Sequence, residues 1–129
     1  MKPFVHLHSH TEYSLQDGIS RLPQMVARAK ELNMPALAIT DHGNMCGAIY
    51  FYKEAKSAGI KPIIGCEVYV TTGSRFDKDA SRQERLKHLI LLAETMEGYQ
   101  NLTKIVSRGF YGGFLPQTSC RSRIIKRTQ

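Results

Sequence analysis

Ala36-Leu37-Ala38-Ile39-Thr40-Asp41-His42-Gly43 joins a short, continuous apolar run to a polar loop. An unbroken run of this length is the pattern of a strand buried on both faces, as in a parallel sheet. Upstream, Leu22, Met25, Val26, Ala29 and Leu32 recur at helical spacing. Ser20 is placed to cap that helix, and Asn33 with Pro35 to close it. Downstream, Cys46–Ser57 reads as a second helix, with Asn44 as a candidate cap and Gly59 as its end. Lys61–Val70 and Leu89–Ala93 read as further strands, separated by the polar stretch Thr71–Arg85. Glu97–Phe110 reads as a helix, with Tyr99, Leu102, Ile105, Val106 and Phe110 on one face. Phe4–Leu7, apolar residues alternating with His, reads as an opening strand. The order βαβαβ-loop-βα predicts an α/β fold whose parallel sheet is joined by crossover helices.

The chain has 129 residues, the size of a single domain, and 42% hydrophobic residues, enough for a globular core. No apolar run approaches the ~20 residues of a membrane helix, and the N-terminus lacks the apolar core of a signal peptide. Cys46, Cys66 and Cys120 are too widely spaced for a disulfide framework or a Cys zinc cluster. These features predict a reduced, cytoplasmic protein with no membrane partner. The net charge of +7 suggests nucleic acid, but it is unevenly placed. Residues 1–97 hold 12 Lys and Arg against 11 Asp and Glu, whereas residues 98–129 hold six and none. From Tyr111 to Gln129 no regular pattern is visible, and an irregular basic tail is expected there.

His6-Leu7-His8-Ser9-His10 puts three of the five histidines on alternate positions, where a strand would give them one face. Imidazole suits Zn, Mn and Fe, so this cluster points to metal. Asp41 and His42 follow a strand, at the end where α/β sheets gather functional groups; an Asx turn closed by Gly43 explains them equally well. Glu67 lies within Ile63-Ile64-Gly65-Cys66-Glu67-Val68-Tyr69-Val70, where a carboxylate is costly unless paired or coordinated. A salt bridge or a wet strand face is the alternative. Asp17 is a carboxylate in an Asp-Gly turn that could fold back over the histidines. His88 stands at the start of its strand, a weaker position by geometry alone. Together these groups match a di- or trinuclear hydrolytic site, in which ions activate water and clamp phosphoryl oxygens. No Walker or Rossmann glycine loop is present, and no Gly-x-Ser-x-Gly elbow.

Phe4-Val5-His6-Leu7-His8-Ser9-His10-Thr11-Glu12-Tyr13-Ser14-Leu15-Gln16-Asp17-Gly18 resembles the opening of the PHP (polymerase and histidinol phosphatase) domain of bacterial DNA polymerase III alpha subunits. The likeness continues through Met34–Asn44, Phe51-Tyr52-Lys53, Gly59–Glu67, His88–Ala93 and Gly98–Leu102. It spans residues 1 to about 110, leaving 111–129 as an unrecognised tail. The resemblance implies roughly the first half of a distorted (β/α)7 barrel, with a cluster of two or three divalent ions (Zn, Mn or Fe) at its strand ends. It implies His8, His10, Asp17, His42, Glu67 and His88 as ligands, and Asp41 as a neighbouring catalytic candidate. It makes His6 supporting rather than ligating. The family's later ligands and the polymerase core find no counterpart here. The stretch after Phe110 looks like the end of a truncated or shifted reading frame, or a cloning scar.

The implied function is an N-terminal fragment of the alpha subunit, carrying an incomplete PHP phosphoesterase or 3′→5′ exonuclease module. Its partners would be DNA, the other polymerase subunits and the missing remainder of the alpha subunit. Polymerase activity is not expected, and nuclease activity is expected to be weak or absent. The alternatives are a free-standing phosphatase of the histidinol-phosphatase type, and a non-catalytic nucleic-acid-binding module that uses the basic tail.

Overall fold

A computed structural model of the chain describes residues 4–15, 17–71, 87–112 and 119–121. The elements in order are α1 (Leu22–Glu31), β1 (Ala36–Ile39), α2 (Ala48–Ala58), β2 (Lys61–Thr71), β3 (Lys87–Leu92), α3 (Met96–Gly112) and β4 (Ser119–Arg121). The polar stretch 72–86, expected as a surface loop, lies outside the described residues.

α1 buries Leu22, Val26 and Ala29 along one stripe and carries a proline in its first turn, where no amide partner is lost. Ser20 does not cap it. The Leu22 amide instead donates to Glu12 Oε1 at 3.3 Å, while the Ser20 carbonyl accepts from the Glu12 amide at 3.0 Å. The helix ends as expected: Asn33 takes a left-handed φ of 53°, which asparagine tolerates. Asn44 likewise acts one turn ahead of α2, its Oδ1 accepting from the Cys46 amide at 3.0 Å. Gly59 closes α2 at φ 80°, and the Ile60 amide returns to the Ala55 carbonyl at 2.9 Å.

The sheet is mixed. β1 and β2 are parallel, with Ala36 opposite Lys61 and Ile39 opposite Ile64. The same register carries past β1 to a bridge between His42 and Glu67. β3, however, runs antiparallel to β2, with Tyr69 opposite His88 and Glu67 opposite Ile90. This corrects the wholly parallel expectation. No helix pattern separates β2 from β3, and an antiparallel pair needs no crossover helix. β4 pairs in parallel with the end of β2, Tyr69 opposite Ser119. A helix reaching Gly112 and a strand at 119–121 therefore stand inside the stretch expected to be irregular from residue 111.

Phe4–Leu7, expected as an opening strand, is not a regular strand and bends at Leu7. The His6 carbonyl accepts from the Ala38 amide at 3.0 Å, and the Ser9 carbonyl from Thr40 at 2.8 Å. Three residues on one side thus match two on the other, so one residue is extra, as in a bulge.

The three described helices pack on one face of the sheet. Leu22, Val26, Phe51 and Ala55 meet Leu37 and Ile39, with Ile64 against them. Leu102 and Ile105 of α3 meet Cys66 and Val68. The alternate residues of β2, Glu67 and Tyr69, therefore look to the opposite face, together with His88. No described helix is long and apolar enough to cross a membrane.

Burial pushes the Cys66 thiol up to about 12, against a lowering contact from the Gly43 backbone. At pH 8 its thiolate, the reactive form, is scarce. Cys46 is exposed. Iodoacetamide at pH 8 is expected to modify Cys46 in the native chain and Cys66 only in urea, as read by peptide mass spectrometry. Equal native labelling of both would contradict this packing.

Candidate metal centre

Each residue of the Thr40-Asp41-His42 string has a distinct position. Thr40 Oγ1 accepts from the Ser9 amide at 3.0 Å. Asp41 is buried, and its two oxygens accept from the Thr11 amide at 2.6 Å and the Thr11 hydroxyl at 2.7 Å. These bonds strap the segment bearing His8 and His10 across the end of β1. His42 then faces the histidines, its ring stacked on that of His10 at 4.3 Å with 7° between planes. The Asp17 turn is folded tightly beneath. A Cβ on Gly18 would sit 1.7 Å from the Thr11 carbonyl oxygen, so only glycine fits. Ser14 braces the turn, its hydroxyl donating to Asp17 Oδ1 at 3.0 Å while accepting from the His42 amide at 3.2 Å.

Glu67, 2% exposed, is the hub. Its Oε2 lies 2.6 Å from His8 Nε2 and 3.3 Å from His10 Nε2. Its Oε1 meets His88 Nδ1 and lies 3.7 Å from His42 Nδ1. On its other side, His42 Nε2 lies 2.9 Å from Asp17 Oδ2. His88 reaches this point because β3 is antiparallel: the start of that strand lies beside the far half of β2.

Burial works to raise the Glu67 carboxyl, but hydrogen bonds from His88 and His8, with the charge of His42, bring it below its ordinary range. Asp17 is likewise lowered, the effect of burial being outweighed by hydrogen bonds from Ser14 and His42. Burial raises Tyr69, aided by the charges of Glu67 and Asp17. Both carboxyl groups are thus drawn toward the anionic form, the form that attracts a cation.

All six expected ligands converge. They form three overlapping trios, His8–His10–Glu67, His10–Asp17–His42 and His42–Glu67–His88, with ligand atoms within 4.8 Å of one another in each. The donor set suits a divalent ion of the Zn, Mn or Fe kind. Glu67 belongs to two trios, one facing each of its carboxylate oxygens. His10 Nδ1 is buried and has no partner among the described residues.

Two neighbouring residues stay outside the trios. His6 is outside the cluster and stacks edge-on to Phe4 at 4.8 Å, because the extra residue before Ser9 breaks the alternation. Asp41, expected as a catalytic candidate, has both oxygens committed to Thr11 and belongs to none of the trios. Sequence reading also missed Tyr69, whose hydroxyl lies 3.3 Å from His42 Nδ1. Its position two residues after Glu67, on the same strand face, was the available signal.

The PHP domain family matches residues 6–128, and the chain belongs to that family. The match passes residue 110, where the motif resemblance stops. Within the family, the chain is similar to DNA polymerase III subunit alpha from several bacteria. It is 50% identical to that of Borreliella burgdorferi over 112 residues, 86% of this chain and 10% of the relative. It is 45% identical to that of Mycobacterium tuberculosis over 129 residues, 90% of this chain and 11% of the relative. The chain thus spans about a tenth of the length of these curated relatives. Its fold is similar to that of a protein described as a metal-dependent phosphoesterase from Bifidobacterium adolescentis (TM-score 0.56, 18% identity, 85% of this chain and 35% of that one). It is also similar to an amidohydrolase from Chromobacterium violaceum (TM-score 0.56, 24% identity, 81% and 34%).

Proposed function

We propose that this chain carries the metal-binding part of a PHP phosphoesterase module in a bacterial replicative polymerase alpha subunit. The observation that carries the reading is the convergence of His8, His10, Asp17, His42, Glu67 and His88 into three trios sharing His10, His42 and Glu67. Residues far apart in sequence meet at one end of the sheet, and the buried Glu67 carboxylate is surrounded by imidazoles. The placement of the three described helices on one face, with Glu67 and His88 on the other, supports a sheet that forms part of a distorted (β/α)7 barrel. Divalent ions held here would supply activated water and a clamp for phosphoryl oxygens. The chain's own contribution is to fix the ligands: Thr40 and Asp41 hold the His8–His10 segment, and Ser14 holds Asp17 against His42. The alpha-subunit relatives support DNA and other polymerase subunits as partners, and a cytoplasmic location.

Equilibrium dialysis against Zn, Mn and Fe(II), followed by metal analysis, tests the reading. Uptake of at least one ion per chain is expected, and it is lost in the His8→Ala/His10→Ala double variant. Uptake that the double variant leaves intact would overturn it. Comparing hydrolysis of a single-stranded oligonucleotide with that of histidinol phosphate identifies the lineage of the activity. Faster release from histidinol phosphate would favour the small-molecule phosphatase.

A further inference from the structure

Tyr69 is buried on the site face of β2, where the metal reading gives it no part. Its ring stacks loosely on His42, with centroids 5.9 Å apart and 17° between planes, and meets His88 edge-on at 4.5 Å. Its hydroxyl lies 3.3 Å from His42 Nδ1, while Asp17 Oδ2 lies 2.9 Å from His42 Nε2. Both ring nitrogens are thus addressed, by chemically different groups. A carboxylate only accepts hydrogen bonds, whereas a phenol hydroxyl both donates and accepts.

This difference determines what each partner can do for His42. In the tautomer where Asp17 accepts from Nε2–H, Nδ1 carries a lone pair to which the Tyr69 hydroxyl can donate. Were Nε2 to give its lone pair to a divalent ion, the ring proton would sit on Nδ1 and would need an acceptor. Tyr69 can then accept from Nδ1–H after its own O–H rotates away. The neutral ring has one proton in both arrangements, so it moves from Nε2 to Nδ1 with no net gain or loss. Glu67 Oε1, at 3.7 Å from Nδ1, can accept but never donate. It can therefore stand in for only one of the two arrangements.

We propose that Tyr69 is the positioning residue for His42, holding the imidazole in one place through both tautomers so that Nε2 is the ligand atom. This inference rests on the metal reading above. Groups that orient a ligating histidine in this way typically account for 10- to 100-fold in metal affinity.

Tyr69→Phe keeps the ring and removes only the hydroxyl. Two measurements on the full chain separate the outcomes. The first needs no metal: 15N–1H spectra of the His42 ring in the metal-free protein. The wild type is expected to show a single Nε2–H tautomer and the variant a mixture. Identical tautomer populations in the two proteins overturn the proposal. The second is Zn titration by calorimetry. The variant is expected to bind one ion about 10- to 100-fold more weakly, and to keep wild-type affinity for the ion on the His8–His10–Glu67 side. Equal affinity for every ion overturns the proposal. A wild type that binds no Zn defeats the metal reading alone, and the metal-free spectra still decide the role of Tyr69.

Discussion

Glu67→Gln is expected to weaken divalent metal binding by about 100-fold or more, or about 2.8 kcal/mol, with loss on both sides of the cluster. The reason is the division of labour between the two carboxylate oxygens. Oε2 serves the His8 and His10 side, and Oε1 serves His88 and His42. An amide keeps one oxygen, carries no charge, and turns an NH2 toward one pair of imidazoles. No rotation of the side chain repairs both sides together. Asp17→Asn should be milder, because Asp17 belongs to only one trio and is a partly exposed turn residue. Zn calorimetry on the three proteins, with circular dichroism to establish folding, measures the order. Equal losses in the two variants would contradict a Glu67 that serves both sides of the cluster.

Glu67 was legible in the sequence because a charge inside an apolar strand demands a reason. His8 and His10 were legible as a local repeat. Their companions illustrate what local pattern cannot supply. His88 reads as misplaced if every strand is parallel. Only the family resemblance put it among the expected ligands; its reach to the site follows from β3 running antiparallel to β2, and element order does not encode that orientation when the intervening stretch has no helix pattern. His6 reads as a third member of the row, and it drops out because a single extra residue shifts the face that follows. That residue is specified by pairing with β1 rather than by the His-rich segment itself. Ser20 and Asn44 carry good capping chemistry, yet the first helix is capped by Glu12 from a distance and Asn44 acts one turn early. Tyr69 has the composition of an ordinary core aromatic, and its spacing of two residues from Glu67 on one strand was the single local sign that it shares the site's face.

Asp41 offers the sharpest separation of roles, since its type and position suit chemistry while its hydrogen bonds suit architecture. Each of the two bonds from Thr11 to this buried carboxyl group should contribute about 1.5–3 kcal/mol, so Asp41→Ala is expected to destabilise the fold by about 3–6 kcal/mol. It strands the Thr11 amide and hydroxyl in a buried site and frees the segment carrying His8 and His10. Metal affinity on that side should fall with it. Asp41→Asn keeps one acceptor for the Thr11 amide, and its NH2 can donate to the Thr11 hydroxyl oxygen. It should recover more than half of the lost stability and most of the affinity. Urea unfolding and Zn calorimetry on the same samples make the comparison. A catalytic Asp41 predicts the reverse order: Asn would abolish phosphodiester hydrolysis while leaving stability and metal binding unchanged. Intact stability in Asp41→Ala would likewise return Asp41 to the reacting groups and remove it from the strap that positions them.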